Sequence, residues 1–230
     1  MPPSKTQVNK AGKLLRNWFS GRSVLLSPSE TDHAFDVITA YRRQWVDPPR
    51  PYTTLYARLF EQAREAGPEH VVGRRLKRVD RIVRKLVRHP RMALTKMEDI
   101  AGCRLVVPDL PALELATELM SDRWAGQIAR VRDYVSSPKA TGYRAVHLTV
   151  ISHGLPVEVQ LRTRRQQLWA AHVEFLEDRD GTLLKDGDGS AATLDQLRDL
   201  GERLAAADVA GLPLQSKALE FGDHWDTRGS

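Results

Sequence analysis

The sequence predicts an α/β (α+β) chain, a mixed β-sheet flanked by helices. Three features predict it. Residues 157–162 (VEVQLR) alternate, with Val157, Val159 and Leu161 on one face of a strand and Glu158, Gln160 and Arg162 on the other. Residues 143–151 (YRAVHLTVI) alternate in the same way, and the SHGLP segment between the two stretches is a hairpin loop. Upstream, residues 103–131 read as strand, helix, strand, with helical segments on either side of the whole block.

Taken in order, residues 6–19 form a short basic helix with Val8, Leu14, Leu15 and Trp18 inward, stopped at Gly21. Ser29 or Thr31 caps a second helix through about Trp45, with Phe35, Ile38 and Tyr41 at helical spacing. The DPPRP run breaks it. A third helix spans residues 54–66 with Leu55, Leu59 and Phe60 inward, ended by Gly67 and Pro68. Residues 73–91 hold nine Lys and Arg and one acid, Asp80. Wound as a helix, they place Val79, Ile82, Val83 and Leu86 on one side and Lys77, Arg81, Arg84 and Arg88 in a stripe on the other. Stacked like charges repel, so the stripe suits either solvent or a bound anion.

Residues 95–107 (TKMEDIAGCRLVV) set Glu98 and Asp99 before a small-residue break, Ala101 and Gly102, and a buried strand from Cys103. An acid at the mouth of a strand is placed to hold a divalent cation. Leu113, Leu115, Ala116 and Leu119 define the helix that follows, and a second strand runs near 127–131. Residues 132–142 form a polar loop that faces phosphate or merely connects. After the hairpin, Thr163 caps a helix to about Asp178, packed through Leu168, Trp169, His172 and Phe175. The KDGDGS run is a linker without the ligand spacing of a calcium loop. A last helix covers about 192–206, and the stretch from Gly211 is a loosely attached end.

A net charge of +6 favours an anionic partner, nucleotide or nucleic acid. The single cysteine, Cys103, excludes a disulfide framework and a cysteine metal cluster. No apolar run reaches the ~20 residues of a membrane helix, and the N-terminus lacks a signal-peptide core, so the expected location is cytoplasmic, with no membrane partner. On pattern alone the hairpin is equally an amphipathic pair with a wetted outer face.

Five fragments in one order resemble the synthetase domain of the RelA/SpoT family. RRLKRVDRIVRK resembles its R-x-K-x-x-x-S-x-x-x-K segment, EDIAGCR its D-I-A-G-x-R, and RDYVSSPKATGYRAVH its K-D-Y-I-x-x-P-K-x-x-G-Y-x-S-x-H. VEVQLRT resembles E-x-Q-x-R-T, and LWAAHVEF resembles the W-A-x-x-E-H that follows. The resemblance spans residues 73–175. Departures are Arg81 and Ala145 where the family has Ser, Arg132 where it has Lys, and Phe175 where it has His.

The resemblance implies a nucleotidyltransferase-like fold and an ATP-dependent pyrophosphokinase that moves the β,γ-pyrophosphate to a 3′-hydroxyl and releases AMP. Asp99 and Glu158 would hold Mg²⁺, with Glu158 also taking the proton of the attacking hydroxyl. Arg75, Lys77 and Lys85 would bind ATP, joined by Arg81 of the stripe, with Arg104 near the adenine. Arg132 and Lys139 would meet acceptor phosphates, Tyr143 would stack on the acceptor base, and His147, Gln160 and Arg162 would line its site. The expected organisation is an N-terminal helical part (1–70), a pyrophosphokinase core (71–180) and a C-terminal helical extension (181–230). With no His-Asp pair in sequence and no room for a hydrolase or regulatory domain, it resembles the single-domain small alarmone synthetases and their toxic relatives. The charge excess favours the toxic subgroup, which acts on the 3′ CCA end of tRNA and is paired with an antitoxin protein. The alternatives are an alarmone synthetase making (p)ppGpp or (p)ppApp from free purine nucleotides, and a non-catalytic RNA-binding module. The oligomeric state is left open.

Overall fold

The computed structural model describes residues 2–22, 26–66, 69–180, 182 and 184–214. Three helices come first: α1 (Lys5–Phe19), α2 (Pro28–Arg43) and α3 (Pro51–Ala66). They are followed by β1 (Val71–Leu76), α4 (Val79–Arg88), β2 (Ala101–Val107), α5 (Leu110–Arg123) and β3 (Ile128–Asp133). The hairpin β4 (Val146–Ser152) and β5 (Leu155–Thr163) leads into α6 (Arg164–Asp180), and α7 (Ala191–Val209) closes the described chain.

The five strands form one mixed sheet in the order β1-β2-β5-β4-β3. Only the β2–β5 pairing is parallel. On β5, Val157, Val159 and Leu161 are fully buried in the main core, joined there by Leu148 and Val150 of β4 and by Cys103, Leu105 and Val107 of β2. Helices α1 to α5 contribute most of the rest of this core, with Trp45, Leu94, Met97, Ile100 and Trp124 from the connections. A second apolar cluster joins Tyr143 and Ala145 to Trp169, Ala170 and Val173 of α6 and Leu197 of α7. The hairpin register pairs His147 with Gln160 and Thr149 with Glu158, so their side chains share the face away from the main core.

Several expectations change. Residues 73–91 are not one helix. Residues 71–76 are an edge strand antiparallel to β2, ended where the Lys77 N–H donates to the Ile100 carbonyl at 2.8 Å. Adjacent Val71 and Val72 and the helix-poor Gly73 suit a strand, and the free edge of β2 offers the partner. Ala101 and Gly102 are not a break but the first residues of β2. The second helix is capped by Ser27 rather than Ser29 or Thr31. Its hydroxyl accepts from the Glu30 N–H, and Pro28 opens the helix where its missing N–H costs nothing. The hairpin loop is two residues, His153 and Gly154, both at positive φ as a primed turn requires. Trp18, Phe60, Leu115, Leu119 and Phe175, read as packing residues, are exposed. Small neighbours fill their places: Ala11 and Gly12 on α1, Ala63 on α3, Ala170 and Val173 on α6. The expected stop at Gly67 and Pro68 lies outside the described residues, as does most of the chain after Gly211. Among the described residues no helix is long and apolar enough to cross a membrane.

The main core depends on α4 meeting α1, with Leu86 almost fully buried against Gly12. Leu86→Ala is expected to cost about 2–5 kcal/mol, read from denaturant unfolding. A loss under about 1 kcal/mol would show that this contact does not hold α4 to the core.

Candidate active site

The sheet sets two rows of side chains across one face. One runs Arg75, Gly102, Glu158, Thr149; the next runs Gly73, Arg104, Gln160, His147, Arg132. Helix α4 adds Arg81, Arg84, Lys85 and Arg88, and α6 adds Glu174, Glu177 and Asp178 opposite them. The charged and polar members of these rows and helices, Arg104 and Thr149 apart, line one cleft of about 810 Å³, within the roughly 300–1,000 Å³ common for small-molecule sites.

On the floor, five side chains close a ring of hydrogen bonds. Glu158 Oε1 lies 3.0 Å from His147 Nδ1, and His147 Nε2 lies 2.6 Å from the Tyr143 hydroxyl. Arg162 donates to that hydroxyl at 2.8 Å and to Gln160 Oε1 at 2.7 Å. Gln160 Nε2 donates back to Glu158 Oε2 at 2.6 Å. A carboxylate only accepts, so Nδ1–H of His147 donates to Glu158; Nε2 then accepts from Tyr143, whose oxygen accepts from Arg162. This assignment, made from the network, leaves every bond with one donor and one acceptor. The wetted-hairpin alternative does not survive, because Arg162 is 2% and Gln160 7% exposed.

Burial would raise the Glu158 carboxyl, but the positive charge that His147 carries when its ring is protonated, together with the hydrogen bonds from His147 and Gln160, outweighs it and brings it down to about 2. Burial also opposes ionisation of Asp99, yet the ammonium groups of Lys77 and Lys85 hold it far below the usual carboxylate range. Both lysines reach Asp99 Oδ2 at 2.8 Å. Glu174 is held low against burial by Lys185 at 2.6 Å and by Arg75 at 4.0 Å. Burial pushes the Tyr143 hydroxyl up to about 12, so it remains a proton donor.

Residues 74–176 match the family model described as a region found in RelA / SpoT proteins. This stretch resembles the RelA/SpoT region. A probable GTP diphosphokinase from Arabidopsis thaliana chloroplasts is 32% identical over 126 residues, covering 51% of this chain. That match spans only 18% of the plant protein's length. The fold resembles the crystal structure of small alarmone synthetase 1 from Bacillus subtilis bound to its product pppGpp, with a TM-score of 0.64 and 23% identity. It covers 75% of this chain and 95% of that one. A GTP pyrophosphokinase family protein from Streptococcus pneumoniae aligns with a TM-score of 0.59 and 23% identity, covering 77% and 94%.

Within the RelA/SpoT region the cleft gathers Asp99, Glu158, Arg75, Lys77, Arg81 and Lys85, and with them Arg132, Lys139, Tyr143, His147, Gln160 and Arg162. Arg104 shares the face but is buried in the second row, off the cleft wall. Tyr143 is 4% exposed, with Trp169, Tyr134 and the Arg162 guanidinium against its ring. The more open aromatic is Tyr134, whose ring lies 5.4 Å from Lys139 Nζ. Arg132 is tied to Glu98 at 3.0 Å, and Arg81 to Asp178.

Sequence reasoning missed Glu98, Tyr134, Glu177 and Lys185 as cleft residues. Glu98 had a signal, its place beside Asp99; it accepts from Arg130, Arg132 and Thr149. Lys185 had none, standing in a run of Gly and Asp. Glu177 accepts its backbone N–H at 2.8 Å and Glu174 its ammonium, which turns the residue into the cleft.

The residues present fit Mg²⁺. Asp99 Oδ1 is buried with no hydrogen-bond partner, an acceptor left open beside the ionised Glu158. Among the described residues no group of three or more His, Cys, Asp or Glu gathers to bind metal. Two carboxylates suffice for a cation that takes its other ligands from water and substrate phosphates.

Because Glu158 titrates lower when folded than when unfolded (about 4.3), its ionisation stabilises the fold above that value. The contribution is lost as pH falls from about 4.5 toward about 2. Melting temperatures across that window should fall less steeply for Glu158→Gln than for wild type. Parallel curves would show that Glu158 is not held ionised by its neighbours.

Proposed function

We propose that the chain is an ATP-dependent pyrophosphokinase whose acceptor is a free purine nucleotide. One observation carries this reading: two largely buried, ionised carboxylates stand between a basic wall and an aromatic wall in a single cleft. The relatives support it, one named a probable GTP diphosphokinase and one seen with its product pppGpp.

In this reading Arg75, Arg81 and Lys85 bind the triphosphate of ATP, with Lys77 both contacting it and orienting Asp99. The acceptor lies along Lys139, Arg132 and Tyr134. Tyr143, His147, Gln160 and Arg162 shape that wall from beneath, so the base stacks on Tyr134 or displaces the contacts now covering Tyr143. Mg²⁺ on Asp99 and Glu158 neutralises phosphate charge when bound. The acceptor 3′-oxygen bonds to the β-phosphorus, the bond from that phosphorus to the α-phosphate oxygen breaks, and AMP departs with the electron pair. Glu158, held ionised, accepts the proton of the attacking hydroxyl as the new oxygen–phosphorus bond forms. Such a weak base suffices where catalysis comes mainly from positioning and charge neutralisation.

The tRNA acceptor, and with it the antitoxin partner, was favoured by the charge excess of residues 73–91. Much of that charge borders the cleft: Arg81, Arg84, Lys85 and Arg88 line it, and Arg81 pairs with Asp178. A stripe so occupied is poorly placed to follow an RNA backbone. The RNA-binding module is disfavoured by two carboxylates beside the phosphate wall.

Incubation with Mg²⁺ and γ-labelled ATP, plus either purine nucleotides or deacylated tRNA, is the test. Label should pass to the nucleotide and be lost in Glu158→Gln. Label on tRNA alone would replace the acceptor, and label on neither would overturn the kinase reading.

A further inference from the structure

Helix α7 lies beyond the RelA/SpoT region, yet it touches the acceptor wall by backbone. Between β3 and β4 the chain makes a tight turn over residues 139–142, closed where the Gly142 N–H donates to the Lys139 carbonyl at 2.8 Å. Gly142 sits at φ +88°, which favours glycine. This turn carries Lys139 and leads directly into Tyr143. Against it stands Gly201 of α7. A Cβ on Gly201 would lie 2.7 Å from the Gly142 carbonyl oxygen and 3.0 Å from its Cα. A Cβ on Gly142 would meet the Leu197 carbonyl at 3.1 Å and the Arg198 Cα at 3.2 Å. The two backbones therefore approach as closely as they do only because both positions lack a side chain.

Polar contacts fix the same junction. Arg198 Nε donates to the Ala140 carbonyl at 2.9 Å, in the middle of the turn. Arg144 donates to the carbonyls of both Gly142 and Gly201, at 3.3 and 3.2 Å. Trp169, whose ring abuts Tyr143, donates to the Leu197 carbonyl at 2.9 Å. At its far end α7 is anchored by Asp208, buried, which accepts from Thr163 at the end of β5 and from Arg165. One helix thus spans from the end of the catalytic strand to the acceptor turn.

We infer that α7 sets the acceptor side of the cleft, with Gly201 and Arg198 acting as positioning residues for the turn that carries Lys139 and Tyr143. The inference rests on the proposed pyrophosphokinase reading for its kinetic consequence, though not for the contact itself.

Gly201→Ala is informative because alanine favours an α-helix over glycine by about 1 kcal/mol, while here its methyl meets backbone that has no rotamer to yield. The KM for the purine-nucleotide acceptor should rise roughly 10- to 100-fold, the cost of a misplacement near 1 Å, with the KM for ATP within about twofold of wild type. Arg198→Ala, which removes a bond without a clash, should shift the acceptor constant in the same direction by a smaller factor. If Gly201→Ala fails to fold, seen as a lost melting transition, Arg198→Ala decides. Constants for ATP and acceptor that move together, or neither moving, would overturn the inference. Amide hydrogen exchange separates it from the functional reading. Exchange at Gly142 and Tyr143 should accelerate in both variants, with β2 amides unchanged, even if wild type transfers no label. Unchanged exchange at the turn would overturn the contact role itself.

Discussion

Arg162 donates to Tyr143 and to Gln160 from one nitrogen, and through them the guanidinium is joined to both oxygens of Glu158. Tyr143, Gln160 and Arg162 are buried and His147 and Glu158 only slightly exposed, so each depends on its partner in the ring. That requirement constrains the sheet. A slip of one residue between β4 and β5 would send His147 to the apolar face and strand Glu158, Gln160 and Arg162 together. The two-residue turn at His153 and Gly154 fixes the register that prevents it. The parallel insertion of β2 beside β5 then brings Asp99, at the head of β2, to the same end of the cleft as Glu158.

Electrostatics around that end follow a second rule. Asp99 is shared by Lys77 and Lys85, Glu174 by Lys185 and Arg75, and Glu98 by Arg130 and Arg132. Each acid holds two bases, from separate parts of the chain at Asp99 and Glu174 and from one strand, β3, at Glu98. Buried charges of one sign are tolerable when so compensated, and a compensated base is also poised to exchange its partner for a phosphate. Much of the positive charge of residues 73–91 is therefore organised by the cleft and its acids, while Arg78, Arg84 and Arg91 remain exposed.

Much of this was legible in the sequence, and the limits have physical causes. The alternation in VEVQLR and YRAVHLTV identified the polar face and the residues on it, because a strand's period of two is robust. The same reasoning placed residues 73–76 in a helix, since basic residues are permissive of helix and the competing partner, the edge of β2, is distant in sequence. Exposed Leu115, Leu119 and Phe175 show that an apolar residue at helical spacing is not thereby inward; on α5 the buried face is Leu113, Ala116 and Met120 instead. The ring itself was invisible. Its members were each identified, but that Tyr143 is buried under Trp169 rather than open for stacking depends on α6 folding back over the sheet. Lys185 and the Gly142–Gly201 contact come from parts of the chain whose local composition says only linker and helix.

The central claim is that the five-membered ring behaves as one unit. A double-mutant cycle between Tyr143→Phe and Glu158→Gln tests it most directly, measured as unfolding free energies at neutral pH. The two residues are not bonded to each other; they are linked through His147 on one side and through Arg162 and Gln160 on the other. A cooperative ring predicts a coupling energy on the order of 0.5–3 kcal/mol. Effects that add to within about 0.3–0.5 kcal/mol would mean that the bonds act independently, and the ring would not be what the site depends on.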